Sequence, residues 1–346
     1  MKRTLLILAI AYLVLLILVW ALMWTGMNSH WTITLLLFSP RWVLALPLLV
    51  LVPLTLGYRK KLALIYLVHG WILLFPILDF HVGGLPFSKS ASVPPNTPVL
   101  RVLTSNLGGG DIDFDRLIQL IEDEQIDVVL FQECKHRLAE TVFKKLDWNT
   151  RQEDEIAIAS PMQLSDAVLL ARKPESHANS AAAVTCTIRL PDEHWPHDTL
   201  ESHDRGNVRI RLVSAHFPTF RPALEKLQRF DFGNGPIALD QMGEAYREVV
   251  GQVHRSIAES EESVIVAGDF NMPVESDHFQ RFWGSYQNAF SSVGSGFGHT
   301  KFTRFHGIRI DHLLADQHWQ ILTCEVGPNL GGDHRPVIAT FSLRTE

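Results

Sequence analysis

Cysteine is nearly absent from this 346-residue chain. Cys134, Cys186 and Cys324 form an odd, scattered set with no CxxC pair. That excludes a disulfide framework and a thiolate zinc site, and it leaves buried free thiols. An excess of positive charge is missing too, since the formal net charge is −6. The deficit is uneven. Six of the 31 Lys and Arg residues but only one of the 37 acidic ones, Asp79, precede residue 83, so the remainder carries a net −11. An acidic body lacks the basic surface on which non-specific binding of long nucleic acid relies, which counts against a general nuclease while leaving room for a local basic groove. No internal repeat is visible. No serine or cysteine stands in a nucleophile elbow, so attack by water is favoured over a covalent intermediate.

What is abundant lies at the front. Residues 5–24 are uncharged and apolar, and a helix crossing ~30 Å of hydrocarbon needs about 20 such residues. The run follows Lys2 and Arg3 but exceeds a signal-peptide core and has no small-residue cleavage site, so a retained span is expected. Residues 42–58, with Pro47 and Pro53, form a second expected span, and 62–78, with His69 and Pro76, a third. Residues 31–38 suit an interfacial segment with Trp31 at headgroup depth. Lys2 and Arg3, and then Arg59, Lys60 and Lys61, belong on the cytoplasmic side by the positive-inside rule. Three spans would carry everything after Asp79 across a bacterial inner membrane, giving a multi-pass anchor and a periplasmic body. His69 reads as a histidine bonded to a neighbouring helix rather than a functional group.

A Gly-, Ser- and Pro-rich stretch, residues 83–98, separates this anchor (1–82) from a domain spanning 99–346. In that domain short apolar runs alternate with amphipathic segments. Strands are expected at 99–104, 127–132, 156–159, 167–170, 182–190, 208–215 and 264–268, and within 307–315 and 331–341. Asp113 caps a helix over 114–124, and Met242, Ala245, Val249, Val253 and Ile257 mark a helical face. The insertion 191–207 holds His194, His197 and His203, which nothing fixes in zinc geometry. Residues 217–236 read as a long loop, either membrane-facing or substrate-selecting or merely variable.

The chemistry-bearing residues fall at strand ends. The run VIVAGDFNMP, residues 264–273, is a buried strand emerging at Gly268, Asp269 and Asn271. A carboxylate there can take a proton and an amide can orient what attacks, although an Asx turn alone would use the same residues. Other strands end in Asn106, Glu133 and His216, while Asp311 lies within one strand and Asp333 and His334 lie just before another. Carboxylate and amide oxygens of this kind suit Mg²⁺ or Mn²⁺ rather than structural zinc.

In order, SNLGGG, VVLFQE, SAHFP, GDFN, RIDHLLA and GGDHRPV resemble the endonuclease/exonuclease/phosphatase superfamily, with its deoxyribonuclease I-like fold. Ser105 stands where that family often has Trp, and Gly332 where Ser is usual. The resemblance implies an α+β fold, a four-layer α/β/β/α sandwich of two mixed β-sheets flanked by helices. It also implies a divalent cation at the sheet edges, held mainly by Glu133 with Asn106 and Asp333 near it. Asp269 would activate water and Asn271 position it. His334, its tautomer held by Asp311, would bind a phosphoryl oxygen, and His216 would contact the phosphate from the opposite side. The expected activity is metal-assisted hydrolysis of a phosphodiester or phosphomonoester, with a lipid-linked substrate favoured over nucleic acid. The alternatives are an extracytoplasmic nuclease acting on DNA or RNA and an inactive membrane scaffold.

Overall fold

Alternation of side chains along the central strands decides the layering. In the strand 99–106, Leu100 and Val102 point to one buried cluster and Leu103 to another; in 128–132, Val128 and Leu130 part from Val129 and Phe131 in the same way. Strands buried on both faces must lie between other layers. The computed structural model describes residues 2–24, 30–58, 64–83, 99–135, 142–175, 178–190 and 208–344. The basic cluster at 59–61, the linker from residue 84 to 98 and the histidine insertion at 191–207 lie outside the described residues.

In chain order the first strands are β1 (Val99–Asn106), β2 (Val128–Gln132), β3 (Asn149–Glu153), β4 (Ile156–Ser160), β5 (Val168–Arg172), β6 (Ala181–Arg189) and β7 (Arg209–His216). There follow β8 (Ser263–Asp269), β9 (Gln287–Asn288), β10 (Lys301–Phe302), β11 (Gly307–Ile308), β12 (Asp311–Ala315), β13 (Trp319–Val326) and β14 (Val337–Leu343). They form two six-stranded mixed sheets, ordered β13-β14-β1-β2-β4-β3 and β5-β6-β7-β8-β12-β9, and a separate β10–β11 hairpin. The inner faces meet in one apolar cluster that includes Val102, Leu130, Leu212, Ile265, Leu313 and Phe341. Outside the first sheet lies a helix, Phe114–Asp123, whose Leu117 and Ile121 pack on Leu103 and Val129. Outside the second lies the helix Asn234–Ala258, with Tyr246, Val249 and Val253 against Val213 and Val266. Two mixed sheets flanked by helices is the expected sandwich.

Each sheet has one parallel pair at its centre, β1 with β2 and β7 with β8. Their C-terminal ends therefore emerge along the same edge. β12 and β14 run antiparallel to β8 and β1, so their N-terminal ends reach that edge as well.

Three expectations change. Residues 217–236 are not one long loop: they contain the helix Arg221–Gln228, whose Ala223, Leu224 and Leu227 are buried, and the start of the next helix at Asn234. Pro222 occupies the first helical turn, where a missing N–H costs nothing, so the prolines and glycines here punctuate helices. The strands β3 and β13 lack the clear apolar alternation that would have announced them, being partly exposed. The third membrane span also fails. Two helices, Arg3–Trp24 and Arg41–Tyr58, are long and apolar enough to cross a membrane, the second beginning as a 3-10 turn. The third segment gives only Ile65–Ile77 among the described residues. These 13 residues rise ~20 Å as a helix, short of a ~30 Å core. Pro76 interrupts the α-helix, which continues over Leu73–Ile77 as a wider π-turn before the chain bends at Asp79.

This N-terminal region packs on the sandwich. Trp31, Leu35 and Phe38 of the short helix Trp31–Leu37 lie against the apolar cluster under Asn234–Ala258, so the expected interfacial segment has a protein face. His69 reaches the carbonyls of Ile65 at 2.8 Å and Ala9 at 3.0 Å, tying two helices together as expected of a structural histidine. Arg41 pairs with Glu275, and Asp79 pairs with Arg309 and His81. All three cysteines are buried.

Burial would raise the Asp79 pKa, but Arg309 and His81 overcome it and hold the carboxyl well below its ordinary range. A depressed folded pKa contributes stability above about pH 4 that is lost as pH falls through the folded value. We expect Asp79→Ala to cost about 3–5 kcal/mol at pH 7, because Arg309 would stay buried without its charge partner. Thermal unfolding of the detergent-solubilised protein between pH 7 and pH 3 checks this, and the variant should have a flatter acid limb than the parent.

Candidate active site

Gly268 sets how closely β8 can approach β7. Its φ is +142°, and a Cβ there would overlap the Ala215 carbonyl. Only glycine tolerates both conditions, and the next residue, Asp269, is thereby delivered beside His216 in register. Asp269 is almost fully buried. Its Oδ1 accepts the Asn271 N–H at 2.8 Å and its Oδ2 accepts from Asn106 Nδ2 at 3.1 Å. Asn271 has φ +50° and donates its side-chain amide to the Phe217 carbonyl at 3.0 Å, fixing the turn after β8. His312, buried behind it, is 2.9 Å from the Met272 carbonyl and steadies the same turn.

The first sheet contributes Asn106 and Glu133. Asn106 Nδ2 also donates to Glu133 Oε1 at 3.0 Å, and its Oδ1 accepts the Gly108 N–H at 2.8 Å. One amide thus bridges a carboxylate from each sheet. Asp311, opposite Asp269 in the β8–β12 register, receives His334 Nδ1 at 2.9 Å and 3.0 Å. His334 Nε2 is 3.8 Å from Asp269 Oδ2 and 3.8 Å from Asp333 Oδ1. His216 Nε2 lies 3.7 Å from Glu133 and 3.8 Å from Asp269. All eight residues singled out in the sequence, Asn106, Glu133, His216, Asp269, Asn271, Asp311, Asp333 and His334, therefore line one rim.

Their charges differ for physical reasons. Burial and the nearby Asp311 raise the Asp269 pKa, opposed by His334 and His216, which gives a carboxylate of heightened basicity. Burial alone would lower His334, but Asp311 and Asp269 outweigh it and raise the pKa to about 9. Burial, with Lys173 nearby, lowers His216 to about 3, so that ring is neutral. The rim pairs a cationic imidazole with a neutral one across a buried carboxylate.

Two lysines escaped the sequence reading. Lys301, first residue of β10, donates from Nζ to Asp333 Oδ2 at 2.7 Å and lies 2.8 Å from His334 Nε2. Two cations do not share a hydrogen bond, so the ammonium's firm partner is Asp333. Lys173, just past β5, is buried; its pKa falls to about 8 through burial, offset by the charges of Asp269, Glu133 and Glu155. A two-residue strand and an edge-strand terminus carry no periodic signal. The sole hint for Lys173 is the charged pair Arg172 and Lys173 shortly after the strand expected at 167–170.

Glu133, Asn106 and Asp333 fit a hard divalent cation. A Cβ on Gly108 would overlap the Glu133 carboxylate and one on Gly109 the Asp333 carboxylate, so the two glycines leave a cradle faced by oxygen donors. Asp269, Asp311 and His334 also cluster closely enough to hold an ion. There, however, His334 keeps both ring protons and Lys301 stands beside it, which suits an anion instead.

A two-sheet sandwich whose shared edge gathers carboxylates, an amide-held base and an imidazolium is the framework of a phosphoester-cleaving hydrolase. The chain belongs to the Endonuclease/Exonuclease/phosphatase family, whose model matches residues 103–334. Among solved structures, the endonuclease/exonuclease/phosphatase of Bacteroides vulgatus is 17% identical over 71% of this chain and 99% of its own, with a TM-score of 0.50. The humanized TDP2 of D. rerio is 14% identical over 70% and 99%, with a TM-score of 0.51. A protein of the same family from Beutenbergia cavernae is 15% identical over 71% and 72%, at 0.50. These likenesses speak to the fold. No curated protein matches the chain in sequence.

Gly268→Ala should destabilise the protein by about 2–4 kcal/mol through backbone strain and overlap with Ala215. Differential scanning fluorimetry measures it, and an unchanged melting temperature would show that β7 and β8 can separate without cost.

Proposed function

We propose that the protein is a membrane-anchored, divalent-metal-dependent phosphoesterase that hydrolyses a phosphodiester or phosphomonoester by direct attack of water. The observation that carries this reading is the Asn106 amide, which donates to Asp269 and to Glu133 together. It keeps a buried base and an exposed cation ligand a fixed distance apart, as phosphoryl transfer requires of its positioning groups. Glu133, Asn106 and Asp333 would hold Mg²⁺ or Mn²⁺, which when bound neutralises charge on the phosphoryl group. Asp269, of raised basicity, takes the proton of the attacking water, and Asn271 orients that water. His334, cationic and oriented by Asp311, donates to a phosphoryl oxygen on which charge develops. His216, neutral, faces the same space from β7. Lys173 adds positive charge behind it.

The two long apolar N-terminal helices support an anchor in a bacterial inner membrane, with the catalytic body on the periplasmic side. In that topology the chain must return to the side of the body between Tyr58 and Asp79, because Phe38 and Trp42, at the head of the second helix, and Asp79 all contact the body. The second reading is a nuclease acting outside the cytoplasm. The cations Lys173, Lys301 and Arg335 near the rim favour it, and the net negative body opposes it.

The test is a screen of phosphoesters and of plasmid DNA against the full chain in detergent, with EDTA and with added divalent ions. Hydrolysis of small or lipid phosphoesters that EDTA abolishes and Mg²⁺ or Mn²⁺ restores is expected, and rapid plasmid nicking would transfer the assignment to the nuclease. Asp269→Ala and His334→Ala should each lower turnover by roughly 10²–10⁴ without unfolding the protein. Gly109→Ala should displace Asp333 and raise the Mg²⁺ concentration for half-maximal activity about 10-fold.

A further inference from the structure

The β10–β11 hairpin joins the catalytic rim to the membrane anchor. Its first residue is Lys301, held by Asp333, and the Phe302 N–H donates to the Asp333 carbonyl at 3.1 Å. Its turn is locked by Thr303, whose hydroxyl donates to the His306 carbonyl at 2.9 Å. That turn is in turn gripped by the N-terminal region: Trp42 Nε1 donates to the Phe305 carbonyl at 3.1 Å, and His306 Nε2 is 3.1 Å from the Phe38 carbonyl. Trp42 stands at the head of the second apolar helix, Arg41–Tyr58. From Lys301 to Phe305 there is at most about 13 Å of extended chain.

A turn fixed so firmly nevertheless leaves its large side chains bare. Phe305 is 70% exposed and Phe302 40%, with Trp42 beside them at 45%. Each phenylalanine has a guanidinium over its ring, Arg304 on Phe305 and Arg335 on Phe302 at 4.3 Å. At the other end of the short helix Trp31–Leu37 a second turn also bares large aromatic side chains. Phe230 and Phe232 are both exposed, and Phe232 lies 6.3 Å from Trp31. Aromatics mixed with arginine, on a body that is otherwise acidic, match the composition of segments that sit at the boundary between headgroups and acyl chains. Continuity with a helix long enough to span the membrane names the occupant of this surface: a lipid bilayer.

We propose that the β10–β11 hairpin dips into the membrane surface and seats the catalytic rim at headgroup level, so that the substrate is a phosphoester borne by a lipid of the same bilayer. The apolar part of such a substrate stays among Phe302, Phe305 and Trp42, and its phosphate meets Lys301 and Arg335 on the way to Asp269 and His334. This rests on the phosphoesterase reading above. The acyl chain accounts for the bare phenylalanines, and the basic side chains account for an anionic headgroup in an acidic domain.

The experiment uses the full chain in vesicles of phosphatidylethanolamine and phosphatidylglycerol. Phe305→Cys carries an environment-sensitive fluorophore, and the buried native cysteines stay unlabelled. Lipids bearing acyl-chain nitroxides should quench this label roughly 3-fold more than one at the fully exposed Asp166, through insertion to acyl depth. In parallel, 4-nitrophenyl phosphodiesters with either a methyl or a hexadecyl second ester are supplied to the parent and to Phe305→Ser. The parent should prefer the hexadecyl ester, and the variant should lose roughly 10-fold on it while hydrolysing the methyl ester as before. Equal quenching at both sites, or equal losses on both esters, would overturn the proposal. Failure to hydrolyse both esters would strike the phosphodiester form of the phosphoesterase reading, and the quenching result would still decide whether the hairpin meets the bilayer.

Discussion

One buried amide holds the catalytic edge together. Asn106 has almost no contact with solvent, so every one of its polar atoms needs a partner inside the protein. It finds them in Glu133 on its own sheet, Asp269 on the other sheet, and the Gly108 backbone. Two carboxylates brought this close repel, and the shared donor offsets part of that repulsion while leaving each an oxygen face for other chemistry. A second tie runs through Gln132, whose amide donates to Thr104 at 3.2 Å and to Ser214 of the opposite sheet at 3.0 Å. The apolar interface fixes the separation of the sheets, and these two side chains fix their register at the working edge.

Around that bridge, burial sorts otherwise similar groups into different states. His216 and His334 face the same carboxylate from opposite sides. His216 has a lysine nearby and no closely bonded acid, and burial leaves it neutral. His334 has Asp311 on Nδ1, and that bond keeps it charged despite burial. The same logic separates the acids. Asp269 and Asp311 are fully desolvated, whereas Glu133 and Asp333 keep exposed oxygens next to the glycine cradle. A water-activating role suits the first kind of acid, and cation binding the second.

The anchor and the catalytic body are one packed object. Ion pairs Arg41–Glu275 and Asp79–Arg309, and the stacking of Phe38 on Phe220 at 6.4 Å, fix where the apolar helices leave the sandwich. The same contacts hold the hairpin that begins in the active site. In the anchoring proposed above, the orientation of the site to the bilayer would follow from these packed interfaces rather than from a flexible tether.

By itself the sequence determined what is local. Largely apolar runs in β1, β2, β8 and β12 announced buried strands, because a strand covered on both faces needs no polar alternation. The polar residues at strand ends, Asn106, Glu133, His216 (which ends β7) and Asp269, and Asp311 within its strand, were legible because each stands against an apolar run. The two long apolar helices, Arg3–Trp24 and Arg41–Tyr58, were legible from the length of their apolar runs. Tertiary structure decided what depends on distant partners. It gave the third apolar segment only the helix Ile65–Ile77 among the described residues, folded residues 221–228 into a helix on the second sheet, and brought Lys173 and Lys301 into the site from an edge strand and a two-residue strand. Nothing within a few residues of either lysine distinguishes it from a solvated one. Its burial and its carboxylate neighbours come from residues as far off as Asp269 is from Lys173, and only the folded sheets bring them together.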